Sequence, residues 1–89
     1  MQLPIDNPRE SAMAIREAIA AEVRAALGRD GRNAAQLATA TDISTSALSR
    51  KLKARAPFWT EELLLIAAEL NADPAAFVAI PLAREAVAA

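Results

Sequence analysis

The sequence predicts an all-α domain, and three observations support this. Of the 89 residues, 24 are alanine, the residue with the highest helix propensity. Aromatic residues, which favour strands, make up only 3%. Apolar residues recur every three or four positions in several segments, and these segments begin at capping residues. The length fits one domain, residues 1–89, whose small core makes dimerisation an expectation.

The first predicted helix lies in "DNPRESAMAIREAIAAEVRAALG". Asn7 can cap its N-terminus, Pro8 suits the first helical position, and Glu10 lies near the positive end of the helix dipole. Gly28 is the predicted end, followed by a loop at "RDGR". The apolar stripe of this helix consists of Ile15, Ile19, Val23 and Leu27.

The second helix is predicted over about residues 34–40. Asn33 and Gln36 have the spacing of a capping box at its start, and Leu37 and Ala38 are expected to face inward.

The third helix is predicted over about residues 45–53. Ser44 can cap it, and Leu48 and Leu52, four residues apart, fall on one face. The segment "ARAPFW" then forms a loop around Pro57.

Two further helices follow this loop. Thr60 is predicted to cap the fourth, with Glu61 and Glu62 in its first turn. Asp73 and Pro74 open a fifth helix through about Ile80, which Pro81 ends or kinks. Together the five segments predict a compact five-helix orthogonal bundle. The buried stripe of the fourth helix is predicted as Leu63, Ile66, Ala67 and Leu70.

The composition excludes several classes of function. Cysteine and histidine are absent, which excludes disulfides, thiolate zinc sites and cysteine or histidine catalysis. The serines lack a placed base, so we expect no enzyme, metal, cofactor or small-molecule ligand. No apolar run reaches the roughly 18 residues that a membrane span needs. The start "MQLPIDNPRE" does not resemble a signal peptide, so a cytoplasmic protein is expected.

The charge is unevenly distributed along the chain, although the net charge is only −1. Residues 1–23 sum to −2 and residues 56–89 to −4, whereas residues 24–55 sum to +5. Such a basic segment is typical of a nucleic-acid contact, but a chance fluctuation on a solvated surface would look the same.

The third helix carries a polar stripe opposite its leucines. At about 100° per residue, Ser46, Ser49, Arg50 and Lys53 fall on that outer side, with Thr45 at the exposed end. Small hydroxyls permit close approach to a surface, and arginine can donate two hydrogen bonds to guanine. This combination suits the major groove of double-stranded DNA; an ordinary solvated helix face is the alternative.

Residues 33–78, "NAAQLATATDISTSALSRKLKARAPFWTEELLLIAAELNADPAAFV", resemble the helix-turn-helix domain of the lambda-repressor and Cro family. The resemblance is carried in register, without gaps, by Leu37-Ala38, Ile43-Ser44, Leu48-Ser49-Arg50, Pro57, Leu63, Ile66-Ala67, Leu70 and Phe77. It implies a lambda-repressor-like fold with its helix-turn-helix at residues 33–53. It also implies a sequence-specific transcription regulator that occupies operator DNA, of the phage Cro, immunity-repressor or antitoxin type. The family binds pseudo-palindromic operators as homodimers.

The resemblance also implies which residues meet DNA. Base contacts are expected from Thr45, Ser46, Ser49 and Arg50. Phosphate contacts are expected from Arg32, Asn33, Lys51, Lys53, Arg55, Trp59 and Thr60.

The chain departs from the family pattern at three positions. Ala34 replaces a glutamine at the start of the second helix, and Asp42 replaces the glycine of the turn. Ala54 replaces the glycine expected after the third helix, which would allow that helix to run longer. These departures bear on DNA affinity more than on the fold.

Other apolar residues leave two interpretations open. Phe58 is expected in the core, whereas Trp59 suits either the core or a phosphate contact. The fourth helix has more leucines than one apolar face needs, so Leu64 or Leu65 could meet a second apolar surface, either the first helix or a partner chain. The segment 74–89 could form a dimer contact or simply close the monomer's core. Its candidate contact residues are Phe77, Val78, Ile80, Leu82 and Val87.

A second function also fits the sequence. A helix-turn-helix domain can serve as a protein-interaction module that does not bind DNA. The acidic ends of the chain and its departures from the family pattern are compatible with this alternative.

Overall fold

The structure is a computed structural model that describes residues 7–79. Its helices are α1 (Pro8–Asp30), α2 (Ala34–Thr41), α3 (Thr45–Leu52) and α4 (Thr60–Glu69). A further helical turn spans residues 76–79, and no strand occurs within residues 7–79. The all-helical prediction is therefore confirmed. Pro74 and Ala75, predicted to open the fifth helix, form a turn, so the helical turn begins two residues later than predicted. Ile80, Pro81 and the tail lie outside the described residues.

The core takes one large, fully buried side chain from each helical segment: Val23, Leu37, Leu48, Ile66 and Phe77. α2 lies at the centre of this packing, against α3 and α4, while α1 packs against α3. Burying a side chain of this size stabilises the fold by about 1.5–3 kcal/mol. The inward faces predicted for α2, α3 and α4 are all confirmed.

The stripe predicted for α1 is only partly enclosed. Val23 and Leu27 are buried, but Ile15 and Ile19 are half-buried. These two isoleucines line an apolar groove of about 290 Å³ together with Phe58. Phe58 itself packs against the core, as expected.

The end of α1 differs from the prediction. The helix continues through Gly28 and stops at Gly31, whose φ of 89° is left-handed and whose N–H donates to the Leu27 carbonyl at 3.1 Å. Glycine adopts this conformation without a steric penalty. The prediction that Gly28 ends the helix was wrong, and Arg29 and Asp30 belong to its last turn.

Three predicted helix starts are confirmed by their hydrogen bonds. Asn7 Oδ1 accepts the Glu10 N–H at 3.2 Å, and Ser44 Oγ accepts the Ala47 N–H at 3.2 Å. The capping box of α2 is complete: Asn33 Oδ1 accepts the Gln36 N–H at 2.8 Å, and Gln36 Oε1 accepts the Asn33 N–H at 2.9 Å.

The start of α4 lies one residue before the predicted cap. Trp59 is the N-cap residue and Thr60 is already helical, so the cap assigned to Thr60 was wrong. The Glu62 carboxylate reaches back and accepts the Trp59 N–H at 2.8 Å. The capping interaction therefore comes from a side chain inside the helix.

The three shorter helices end in the same way, each with a left-handed residue that is not glycine. Asp42, Ala54 and Asn71 have φ values of 57°, 60° and 54°. In each case the next residue's N–H bonds to a carbonyl five positions back, at distances of 3.1, 2.8 and 2.8 Å. Ala54 thus adopts the left-handed conformation despite the steric cost of its Cβ. The absence of glycine at this position does not lengthen α3, which ends at Leu52.

Candidate nucleic-acid interface

The outer face of α3 consists of exposed polar side chains. Thr45, Ser46, Arg50 and the following Lys53 are all exposed. Within residues 7–79, none of their side chains forms a hydrogen bond or an ion pair. The buried Leu48 and Leu52 hold the opposite side of the helix to the bundle. The helix therefore offers free donors and acceptors on a fixed support.

Ser49 lies on the flank of α3 and is half-buried. It lines a shallow hollow of about 400 Å³ whose other walls include Arg24 and Leu27 of α1. Across this hollow, the Arg24 guanidinium donates to the Leu52 carbonyl at the end of α3. Ser49 therefore faces α1 more than the exterior, which makes it the least accessible of the four predicted base-contacting residues.

Lys51 has an internal partner. Its Nζ lies 2.5 Å from Glu62 Oε2, and the two side chains are only 10% and 11% exposed. The ammonium also lies 4.7 Å from the centroid of the Trp59 ring, a cation–π distance. This placement argues against the phosphate contact predicted for Lys51.

Trp59 lies on the surface. It is 63% exposed, which decides against its alternative placement in the core. Thr60 beside it is also exposed. Within the described part of the chain, neither the indole N–H nor the Thr60 hydroxyl has a hydrogen-bond partner.

Arg32 is held by two carboxylates. It contacts Asp30 at 2.6 Å and Glu69 at 2.7 Å, and it also donates to the Glu69 carbonyl at 2.8 Å. Its hydrogen bonds to these carboxylates raise the pKa of Arg32, and the bond that Asp30 accepts lowers the pKa of Asp30. Arg32 thus ties the α1–α2 connection to the end of α4, and its charge is balanced inside the domain.

The start of α2 has two backbone donors without a partner in the described structure. The capping box uses the side-chain oxygen and the N–H of Asn33, together with the N–H of Gln36. The amides of Ala34 and Ala35 have no acceptor among residues 7–79, because the first turn of a helix offers them none. Such amides, at the positive end of a helix dipole, can bind a phosphate.

The basic segment therefore divides into two groups. Arg24, Arg32 and Lys51 are engaged with partners in the fold. Arg29, Arg50, Lys53 and Arg55 are exposed, and none makes a hydrogen bond or ion pair through its side chain within residues 7–79. Arg29 lies beside the turn after α4. The other three lie on α3 or just after it, where the Arg55 N–H bonds to the Arg50 carbonyl at 2.8 Å.

The predicted dimer residues fall in different environments. Phe77 is 2% exposed inside the monomer's own core, which argues against its role in a dimer contact, and Val78 packs against the same core. Ile80, Leu82 and Val87 lie outside the described residues. The exposed large apolar side chains of α4 are Leu64 and Leu65, at 53% and 52%.

Within residues 7–79, no group of three or more acidic, histidine or cysteine side chains could hold a metal ion. None of the helices found there has the length and apolar character required to cross a membrane.

Comparisons with protein-family models, with curated proteins and with solved structures gave no match to this chain. The likeness to the lambda-repressor and Cro family is therefore one of residue pattern alone.

Proposed function

We propose that this protein is a sequence-specific DNA-binding transcription regulator of the repressor type, with α2, the Asp42 turn and α3 as a lambda-repressor-like helix-turn-helix. The observation that carries the proposal is the outer face of α3. Thr45, Ser46 and Arg50 are exposed there and have no side-chain partner within residues 7–79, on a helix whose leucines are buried. The protein would act in the cytoplasm on nucleoid DNA by blocking access of polymerase to an operator.

The chemistry of α3 fits the major groove. The groove is wide enough for one helix, and small hydroxyls at its front allow close approach. Arg50 can donate two parallel hydrogen bonds to guanine, and Thr45 and Ser46 can bond to several base edges. Base contacts of this kind determine sequence preference.

The surroundings of α3 fit the DNA backbone. Lys53 and Arg55 follow α3 as exposed cations, and the amides of Ala34 and Ala35 lie at the start of α2; none of these groups has a partner in the described part of the chain. The exposed Trp59 and Thr60 can donate to a phosphate at the start of α4. Such contacts fix the orientation of the protein and carry no sequence information.

The resemblance further supports a homodimer on pseudo-palindromic double-stranded DNA, with two α3 helices roughly 34 Å apart. A compact domain with one reading helix binds only one half-site. A dimer that contacts two half-sites multiplies the sequence selectivity that one short helix can provide.

A salt titration tests the proposal. The logarithm of the affinity for a random duplex should fall linearly with the logarithm of the salt concentration. The slope of this line should be about −0.9 for each phosphate contacted. Arg55→Ala should make this slope shallower by about 0.9 and weaken binding to all sequences alike. Arg29→Ala, an exposed cation away from α3, is the matched control and should bind as the wild type does.

An absence of duplex binding at about 50 mM salt would reject the proposal. Equal slope changes for Arg55→Ala and Arg29→Ala would reject the position of the interface, because α3 would then have no special role.

The second candidate is a protein-interaction module, and one observation favours it. Leu64 and Leu65 are adjacent and each about half exposed on the outer face of α4. Contiguous exposed apolar groups often mark a protein contact. Two results together would establish this alternative. The chain would fail to bind duplex, and the double variant Leu64→Ser with Leu65→Ser would abolish its self-association in sedimentation experiments.

A further inference from the structure

Three side chains meet where α3 is joined to α4: Lys51, Trp59 and Glu62. We call them the junction cluster. Glu62 uses both carboxylate oxygens there: Oε2 lies 2.5 Å from Lys51 Nζ, and Oε1 accepts the Trp59 backbone N–H at 2.8 Å. The Lys51 ammonium completes the cluster at 4.7 Å from the Trp59 ring centroid.

The cluster buries charge and leaves an uncharged group outside. The Lys51 and Glu62 side chains are 10% and 11% exposed, whereas Trp59 is 63% exposed. A buried ion pair persists only when both partners remain, because a single buried charge is costly. The pair therefore fixes Lys51 inward, and the ammonium and the Glu62 carboxylate together restrain the backbone and the ring of Trp59.

The indole has a free donor. Its Nε1–H can only donate, and it has no acceptor within residues 7–79. A phosphate oxygen is a strong acceptor, and tryptophan is rigid enough to hold such a contact at little entropic cost.

We propose that the DNA-backbone contact at the α3–α4 junction is made by the Trp59 indole, and that Glu62 is the positioning residue that makes Lys51 a support for this indole instead of a DNA ligand. The inference rests on the proposed DNA-binding function. It assigns opposite roles to two neighbouring groups: the cation is structural, and the uncharged ring touches DNA.

The decisive measurement is the salt slope of duplex binding, since each cation that contacts a phosphate contributes about 0.9 to it. The double variant Lys51→Met with Glu62→Gln removes the ion pair without leaving a lone charge, and the amide oxygen of the introduced glutamine can still accept the Trp59 N–H. Its slope should equal that of the wild type, whereas Arg55→Ala lowers the slope. A slope shallower by about 0.9 in the double variant would make Lys51 a DNA ligand and overturn the inference.

Glu62→Gln alone tests the restraint on Lys51. The neutral amide releases the ammonium, which can then reach a phosphate, so the slope should become steeper by up to about 0.9. A purely structural role of Glu62 would leave the slope unchanged, and that result would contradict the inference. Circular dichroism establishes that each variant is folded.

Trp59→Phe tests the indole itself. Phenylalanine keeps a ring beside Lys51 and keeps the backbone N–H, but it has no ring donor. Affinity should fall about 2- to 10-fold on every sequence, with no change in slope. Wild-type affinity in this variant would overturn the inference.

Tryptophan fluorescence gives an independent readout, because Trp59 is the only tryptophan of the chain. Its emission should change on adding duplex, in proportion to the bound fraction. An emission that stays constant while anisotropy shows binding would overturn the inference and leave DNA binding intact. No binding by the wild type would instead refute the proposed function.

Discussion

α3 and α4 are neighbouring helices of eight and ten residues that both pack against α2, yet their outer faces are opposite in character. α3 presents Thr45, Ser46 and Arg50 to the exterior. α4 presents Leu64 and Leu65, each about half exposed. Their inner faces are alike, because both contribute buried aliphatic side chains to one core: Leu48 and Leu52 from α3, and Leu63 and Ile66 from α4.

The difference separates two requirements on a helix. The inner face has to fill the core, and any helix in this position meets that requirement with similar side chains. The outer face does not have to fill the core, so its composition indicates what else the helix contacts. α3 carries polar groups suited to base edges, and α4 carries apolar groups suited to another apolar surface.

The largest expected effect concerns the inner faces. Ile66→Ala removes a fully buried side chain of α4 and should lower the free energy of unfolding by about 2–5 kcal/mol. Leu65→Ala, next to it on the outer face, should change that free energy by about 0.5 kcal/mol or less. Urea denaturation followed by circular dichroism measures both. Equal losses would show that the outer face of α4 is covered by a partner under those conditions.

The next effect concerns the outer face of α3. Arg50→Ala should cost about 1–3 kcal/mol of binding free energy on the preferred DNA site and relax the preference at one base pair. Selection of sites from a random duplex library, followed by titration of the best site, measures both quantities. Leu64→Ala, the matched change on α4, should leave the base preference unaltered. If Arg50→Ala keeps the preference, α3 is not the helix that contacts the bases.

A smaller effect separates the turns that follow α2 and α4. Asp42 and Asn71 both adopt left-handed φ values, so glycine at either position should stabilise the fold by about 0.5 kcal/mol. Only Asp42→Gly also removes a negative charge beside α3, and it should raise DNA affinity about two-fold. Thermal unfolding and duplex titration of the two variants make the comparison. A similar gain in affinity for Asn71→Gly would show that charge at the Asp42 turn is not responsible.

The smallest effect is on pH dependence at the α1–α2 connection. Arg32 lowers the pKa of Asp30 below its ordinary value of 3.8, so this interaction contributes stability above that value and loses it as the pH falls through the lowered pKa. Asp30→Asn should therefore be less stable than the wild type at neutral pH, by a small amount because the pair is at the surface. The difference should vanish in strong acid. Thermal unfolding from neutral to strongly acidic pH measures it, and a difference that does not change with pH would show that ionisation of Asp30 is not its cause.

Much of the fold was predictable because it depends on local signals. The Asn33–Gln36 capping box and the Ser44 cap are short-range patterns, and the structure contains both. The error in the predicted end of α1 also has a local cause. Two glycines lie three residues apart, and only the conformation of Gly31 shows which one ends the helix.

The candidate interface was predictable only in part, because charge pairing across the fold is not a local property. The partner of Lys51 is eleven residues away in α4, and one partner of Arg32 is Glu69 at the end of that helix. One signal for Lys51 was present: on the helical wheel it lies about 60° from Leu48, on the inner half of α3. A basic residue on an inner face indicates a buried partner.

α3 has only eight residues, so its outer face is unsuited to being copied as an isolated peptide. Isolated helices shorter than about 12–15 residues are marginal in water, so this one depends on its enclosed leucines and on the Arg24 guanidinium bound to its last carbonyl. A synthetic fragment of residues 44–55 would be mostly coil and a poor competitor for any ligand of the intact chain. Heat or denaturant that loosens the bundle would abolish the proposed DNA binding in the same transition.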